Sequence, residues 1–126
     1  MSIDVVKFTT YLRKHAGPFS TSHCARSIRL ALEAGGANTA GHPESAISYP
    51  PVLFQNGFRL IIPSSHTPFK PLKGDIVIIK ATKNGNPAGH IQAYDGMSWI
   101  SDFVQLEFWP GPAYRKEKPT YVVYRP

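Results

Sequence analysis

Residues 89–103 read GHIQAYDGMSWISDF, with a run of strand-forming residues on each side of Asp95-Gly96. Asp-Gly between two such runs is a strong β-hairpin signal, because both residues tolerate the backbone conformations of tight turns. The first run carries His90 near its start, and the second carries Asp102 near its end. The geometry of this hairpin therefore decides whether a histidine and an acid meet on one face of a sheet.

Two loop lengths give two different registers for this hairpin. A loop of odd length centred on Gly96 pairs His90 with Asp102, and opposed residues of that kind have Cβ atoms about 4.5–5.5 Å apart. A two-residue Asp95-Gly96 loop pairs His90 with Ser101 instead and turns Asp102 to the other face. The residues alone leave both registers open.

The rest of the chain predicts helices first and strands second. Helical spacing of apolar residues predicts a helix over 3–16, stopped by Gly17-Pro18, and a second helix from Cys24 to Gly35-Gly36. Residues 37–71, rich in proline, predict a long ordered loop with one short strand. The short strand of that loop is predicted over 58–62. The C-terminal half is predicted to be all strand, over 74–80, 90–94, 98–103 and 120–124. This order predicts an α+β fold with N-terminal helices packed on an antiparallel β-sheet.

Length and charge set broad limits on what the protein does. A chain of 126 residues is expected to form a single domain over 1–126. It has no apolar run long enough to span a bilayer and no secretory signal pattern, so we expect synthesis in the cytoplasm without a cleavable signal. The net charge is +6, but the basic residues are scattered, which favours neither nucleic-acid binding nor membrane insertion.

Cys24 is the only cysteine in the chain. Its predicted place at a helix N-terminus would favour the thiolate and lower the thiol pKa. Cys24, His90 and Asp102 would then supply a nucleophile, a base and an orienting acid in chain order. We therefore expect these three residues to be catalytic, with no metal and no cofactor.

Two blocks of residues carry a family resemblance. One is Ser22–Ser27 (SHCARS), and the other is the Gly74–Val77 strand (GDIV) followed by residues 89–103. They resemble the CHAP/NlpC-type cysteine peptidases and amidases, a circularly permuted papain-like family that cuts peptide amides in bacterial cell walls. The resemblance implies a papain-like fold and a third polar residue on the strand after the histidine, where this chain has Asp102. That spacing favours the odd-length loop.

Within that family the chain looks like the amidase effectors of type VI secretion systems. The resemblance implies a route through the secretion apparatus into the periplasm of a target bacterium. A peptidoglycan substrate, cut in the stem peptides or cross-links, is implied as well. It also implies an antibacterial role, a dedicated immunity protein that neutralises the effector in the producer, and a monomer.

Two other functions remain open at this point. The β-rich half could be a non-catalytic, SH3-like basic binding module, whose binding would weaken steeply with salt and survive the loss of Cys24. Alternatively, a papain-like thiol acyltransferase would keep the same chemistry and change the acceptor.

Overall fold

Four α-helices are present in the computed structural model, which describes residues 3–62 and 69–126. They are α1 (Val5–His15), α2 (Cys24–Ala34), α3 (Pro50–Gln55) and α4 (Pro112–Glu117). Asp4 caps α1 by accepting a hydrogen bond from the backbone N–H of Lys7 at 3.0 Å, so it precedes the helix. The second helix begins at Cys24 and ends before Gly35, as predicted. None of the helices in the described ranges is long and apolar enough to cross a membrane.

The described residues form one five-stranded sheet in the order β1-β5-β2-β3-β4. The strands are β1 (Arg59–Ile61), β2 (Ile76–Ile79), β3 (His90–Tyr94), β4 (Trp99–Ile100) and β5 (Tyr121–Arg125). Every neighbouring pair is antiparallel, and α1 and α2 pack together beside β3. The predicted α+β class, with N-terminal helices on an antiparallel sheet in the papain-like manner, is confirmed.

Three features depart from the predicted elements. The predicted loop over 37–71 contains a 3₁₀ turn, Ala46–Ser48, and α3. The C-terminal half is not all strand, because it contains α4. Both missed helices have proline in their first turn, where its absent N–H would have no helical partner in any case. The strand predicted over 98–103 stops at Ile100, whereas residues 63–68, and with them His66, lie outside the described residues.

The two faces of the sheet pack against different groups of residues. Side chains alternate along β3, so Ile91 and Ala93 enter the main core beneath α1 and α2. His90 and Gln92 therefore face the opposite side, where a second apolar cluster is centred on Trp99. Both polar side chains are buried there, so they require hydrogen-bond partners on that face.

The Gly-Asp pair before β2 has a structural role. Asp75 is fully buried and accepts two hydrogen bonds from the Arg125 guanidinium, at 2.8 and 2.9 Å. It also accepts one from the backbone N–H of Leu72 at 2.8 Å. These bonds join the end of β5 to the start of β2, so the carboxylate fixes the centre of the sheet.

Candidate active site

Cys24 is the first residue of α2, and the N-terminus of that helix is open. His23 occupies the N-cap position without a side-chain capping bond, and the first turn contains no acidic residue. The first backbone N–H groups of a helix have no partner within it. Those of Cys24 and Ala25 interact with the Cys24 sulfur and favour its thiolate form, so they also face any group that binds to the sulfur.

The pKa of the Cys24 thiol is nevertheless raised, not lowered as its helix position predicted. Burial of the sulfur is the largest cause, and the negative charge of Asp102 adds to it. Backbone N–H groups at the helix start oppose this shift but do not overcome it. The Cys24 side chain is therefore a protonated thiol near pH 7, and conversion to the thiolate requires a base.

The early end of β4 brings the thiol to the start of β3. Along a β-strand, the backbone N–H and C=O groups of successive residues point to opposite neighbouring strands. Both groups of Tyr94 bond to residues just before β2, so the N–H of Ile91, three residues earlier, points toward the β4 side. β4 has already ended at Ile100, and the N–H of Ile91 interacts with the Cys24 sulfur instead. Cys24 thus lies beside the residue that follows His90.

His90 forms a hydrogen bond with Gln105, whose orientation is fixed by its surroundings. Gln105 Nε2 donates to Gln92 Oε1 at 2.9 Å and to the carbonyls of Glu107 and Phe108 at 3.1 and 3.2 Å. Carbonyl oxygens only accept, so the amide nitrogen must face them and Oε1 must face the imidazole. Oε1 lies 2.9 Å from His90 Nε2, and it can only accept there.

The imidazole tautomer follows from this contact. Since Gln105 Oε1 accepts, His90 Nε2 carries the proton and Nδ1 holds the lone pair of the neutral ring. Nδ1 has no hydrogen-bond partner among the described residues. Burial is the largest influence on the pKa of His90 and lowers it, although Gln105 and the charge of Asp102 act in the opposite direction. The ring is therefore neutral near pH 7 and able to accept a proton at Nδ1.

The predicted register of the hairpin is wrong in both of its versions. Ala93 pairs with Ile100 and Tyr94 with Trp99, so the loop has four residues, 95–98. Asp95 holds this loop by accepting from two backbone N–H groups at 2.8 and 3.0 Å, and it also binds Arg13. Asp95 is therefore more than the turn residue that the sequence predicted.

The chain then reverses sharply instead of continuing β4. Val104 pairs back with Ile100, and the backbone N–H of Gln105 donates to Trp99 at 2.9 Å. This reversal places Gln105 next to His90, where the sequence predicted Asp102. The predicted His90–Asp102 pairing is thus replaced by a histidine–glutamine pair.

Asp102 is buried and bound to the segment that precedes Cys24. Its Oδ2 accepts from the backbone N–H and hydroxyl of Thr21, at 2.6 and 2.9 Å, and from the backbone N–H of His23 at 3.1 Å. Its charge still influences the pKa values of Cys24 and His90. The structure therefore places the residue near the thiol and the imidazole but attaches it to the loop before α2.

A cleft of about 230 Å³ opens at Cys24. It lies between the first turn of α2, the loop around Glu44 and the loop that ends at Gly89. Two guanidinium groups, Arg26 and Arg29, and one carboxylate line it, so the lining is net positive. Among the described residues, no three His, Cys, Asp or Glu side chains are grouped as a metal site.

Tyr114 of α4 closes the other side of the site. Its ring centroid lies 5.9 Å from that of His90, with the planes inclined at 54°. Burial raises the pKa of the phenol, and charge on Cys24 and Glu117 raises it further. The hydroxyl therefore keeps its proton near pH 7 and is a hydrogen-bond donor close to the thiol and imidazole.

Two solved structures resemble the chain over nearly its whole length. One is the crystal structure of the type VI native effector-immunity complex Tae3-Tai3 from Ralstonia pickettii, which contains a chain 39% identical to this one. The TM-score is 0.86, and the alignment covers 97% of this chain and 98% of that chain. The selenomethionine form of that complex gives 39% identity and a TM-score of 0.82, covering 94% and 99%. This chain belongs to the Tae3 family of type VI effectors. No family model matches the sequence, and no curated protein matches it.

In this Tae3 family member, the groups brought together are suited to acyl transfer. A thiol, a neutral imidazole with a lone pair at Nδ1, and backbone N–H donors at a helix start can form and stabilise a tetrahedral adduct of a carbonyl group. Cys24 and His90 come from the residues that the sequence singled out. No sequence pattern indicated Gln105 or Tyr114, because the reversal after Ile100 and the helix starting at Pro112 bring them to the site.

Proposed function

We propose that this Tae3 family member is a cysteine amidase, or endopeptidase, that hydrolyses an amide bond in peptidoglycan stem peptides or cross-links. The observation that carries the proposal is the tautomer of His90, which has its lone pair on Nδ1 and directly precedes Ile91, the residue whose backbone N–H interacts with the Cys24 sulfur. A cysteine nucleophile with a raised pKa needs such a base, because the thiolate is the attacking form.

In the proposed reaction, His90 Nδ1 removes the thiol proton as the Cys24 sulfur bonds to the amide carbonyl carbon. The carbonyl π electrons move to oxygen, and the oxyanion accepts hydrogen bonds from the backbone N–H groups at the start of α2. When the C–N bond breaks, the imidazolium gives its proton to the leaving amine, and a thioester remains. Water, deprotonated by His90, then attacks the thioester and releases the carboxylate and the thiol.

Gln105 supports both proton transfers by holding the imidazole. Because its Oε1 accepts from Nε2, the ring cannot adopt the tautomer that would place a proton on Nδ1 before attack. A neutral amide stabilises the imidazolium less than a carboxylate would, which fits the neutral resting pair. The proton therefore moves during attack and is not transferred beforehand.

The biological setting that we propose follows from the family. The protein is an antibacterial effector delivered by a type VI secretion apparatus to the periplasm of a target bacterium, acting as a monomer without a metal or cofactor. The Ralstonia pickettii relative was crystallised with the immunity protein Tai3, and we propose a cognate immunity protein for this chain as well. The CHAP/NlpC-type resemblance of the Cys24 and His90 blocks supports the same reaction class.

The test is the release of amino groups from purified peptidoglycan. Wild-type protein is expected to release new amines, whereas Cys24→Ala and His90→Ala release none above background. Cys24→Ser keeps the size of the side chain but has a much weaker nucleophile, and His15→Ala removes an exposed histidine at the end of α1 as a matched control. Undiminished release by Cys24→Ala would end the proposal, and transfer to an added amine without hydrolysis would favour an acyltransferase.

A further inference from the structure

One carboxylate oxygen organises the segment that leads into Cys24. Asp102 Oδ2 accepts three hydrogen bonds, from the N–H and hydroxyl of Thr21 and the N–H of His23. The backbone carbonyl of Asp102 also accepts from Gly17 N at 2.9 Å. Through these bonds a single residue at the hairpin reversal attaches both ends of the α1–α2 connection.

The residue between the two bound amides has an unfavourable backbone conformation. Ser22 has a φ of 63°, in the left-handed region that residues with a Cβ rarely adopt. This conformation directs the N–H groups of Thr21 and His23 to the same oxygen. Since His23 directly precedes Cys24, the angle at Ser22 sets where α2 begins and where its first N–H groups point.

We infer that Asp102 is a positioning residue, which places the Cys24 nucleophile by holding Ser22 in its left-handed conformation and not by acting on the imidazole. The inference rests on the proposed role of Cys24. It assigns the sequence-predicted catalytic acid a task in the nucleophile's loop, while Gln105 takes the place beside His90.

The hydrogen bonds make this role independent of charge. All three loop bonds go to Oδ2, whereas the hydrogen bond to Oδ1 found within the described ranges comes from the hydroxyl of Ser101, at 3.3 Å. A hydroxyl can donate or accept, so an asparagine could present its oxygen to the loop and its amide nitrogen to Ser101. An acid that worked through its charge on His90 could not be replaced in this way.

The experiment compares Asp102→Asn, Asp102→Ala and the double variant Ser22→Gly with Asp102→Ala. We expect Asp102→Ala to lower kcat for peptidoglycan amide hydrolysis about 100-fold, with KM within about twofold, because small displacements of a reacting group cost rate. Asp102→Asn is expected to lose no more than about threefold, since one oxygen acceptor is retained. The double variant should regain about tenfold, because glycine adopts positive φ without the carboxylate.

Asp95→Ala is the matched control, because Asp95 also accepts two backbone N–H bonds, but in the hairpin loop. It should lower the melting temperature and leave kcat within about twofold of the wild-type value. An Asp102→Asn variant as impaired as Asp102→Ala would overturn the inference. So would a double variant no more active than Asp102→Ala alone.

A second readout separates this inference from the proposed function. The rate of Cys24 alkylation by iodoacetamide needs no peptidoglycan, and it should change in Asp102→Ala and return toward the wild-type rate in the double variant. If the wild-type protein cleaves no amide but alkylation follows this pattern, the proposed function fails and the positioning role stands. If alkylation is the same in all variants, the positioning role is refuted even in an active enzyme. Should Asp102→Ala not fold, the wild type becomes the reference: Asp102→Asn should keep kcat and the alkylation rate within about threefold of the wild-type values, and a loss of kcat of about 100-fold would overturn the inference.

Discussion

Replacement of Gln105 by glutamate tests the hydrogen-bond network behind the imidazole, because the two side chains have nearly the same shape. Gln105 is only 4% exposed. Its amide nitrogen faces three oxygen acceptors, at 2.9, 3.1 and 3.2 Å. In Gln105→Glu, a carboxylate oxygen would replace this nitrogen and would have no proton to donate to any of the three acceptors. A protonated His90 would lie beside the other carboxylate oxygen, so it would not relieve the repulsion at this one.

The expected loss of stability can be estimated from these contacts. The amide nitrogen has two protons to share among these acceptors, and each neutral hydrogen bond contributes about 1 kcal/mol, so Gln105→Glu should lower the free energy of unfolding by about 2 kcal/mol at pH 7. For a domain of this size, that corresponds to a drop in Tm of roughly 7 °C. Burial among acceptors favours the protonated acid, so the folded-state pKa of the new glutamate should lie above its unfolded value of about 4.3.

The loss of stability in Gln105→Glu should depend on pH in a definite direction. A group whose pKa is raised on folding binds more protons in the folded state, so its destabilising effect is small below about pH 4.3 and grows as the pH rises. Melting curves at pH 4 and pH 7 for wild type, Gln105→Glu and the uncharged Gln105→Met measure it. Gln105→Met should lose a similar amount at both pH values. A Gln105→Glu protein as stable as wild type at pH 7 would refute the assigned network.

Three further changes probe the thiol and the scaffold. The rate of Cys24 alkylation should still be rising with pH at about pH 8.5, because burial raises the thiol pKa above its ordinary value. A plateau already reached at pH 6 would contradict this. Asp75→Ala leaves the Arg125 guanidinium without its buried partner, so urea denaturation should show that the free energy of unfolding falls by about 3 kcal/mol. An unchanged urea midpoint would argue against a structural role for Asp75. Gly89 has a φ of +71°, and Gly89→Ala places a Cβ 2.6 Å from the carbonyl oxygen of Ile79, so Tm and kcat should both fall. Wild-type values of Tm and kcat would show that the backbone before His90 can shift.

Elements with strong local signals were predictable from the sequence. α2 follows from the polar residues before Cys24, the apolar spacing after it and the glycine pair that ends it. β2 and β3 follow from their β-branched and alternating residues. These elements carry Cys24 and His90, which is why the proposed nucleophile and the proposed base are predictable from the sequence.

The third member of the site depended on geometry that the sequence does not encode locally. Asp95-Gly96 predicted a shorter loop, but Asp95 also accepts from the N–H groups of Met97 and Ser98, which extends the loop to four residues. The reversal after Ile100 then replaces Asp102 by Gln105 beside the imidazole. The raised pKa of Cys24 likewise reflects burial by distant parts of the chain, which outweighs the local effect of the helix start.

The most direct test of the central claim is a search for the covalent intermediate on Cys24. Wild-type protein is mixed with soluble peptidoglycan fragments, quenched in acid and digested, and the peptides are measured by mass spectrometry. We expect the peptide containing Cys24 to carry the acyl portion of the fragment as a thioester, and His90→Ala to show no such adduct. An unmodified Cys24 peptide during turnover, together with wild-type rates from Cys24→Ala, would contradict it.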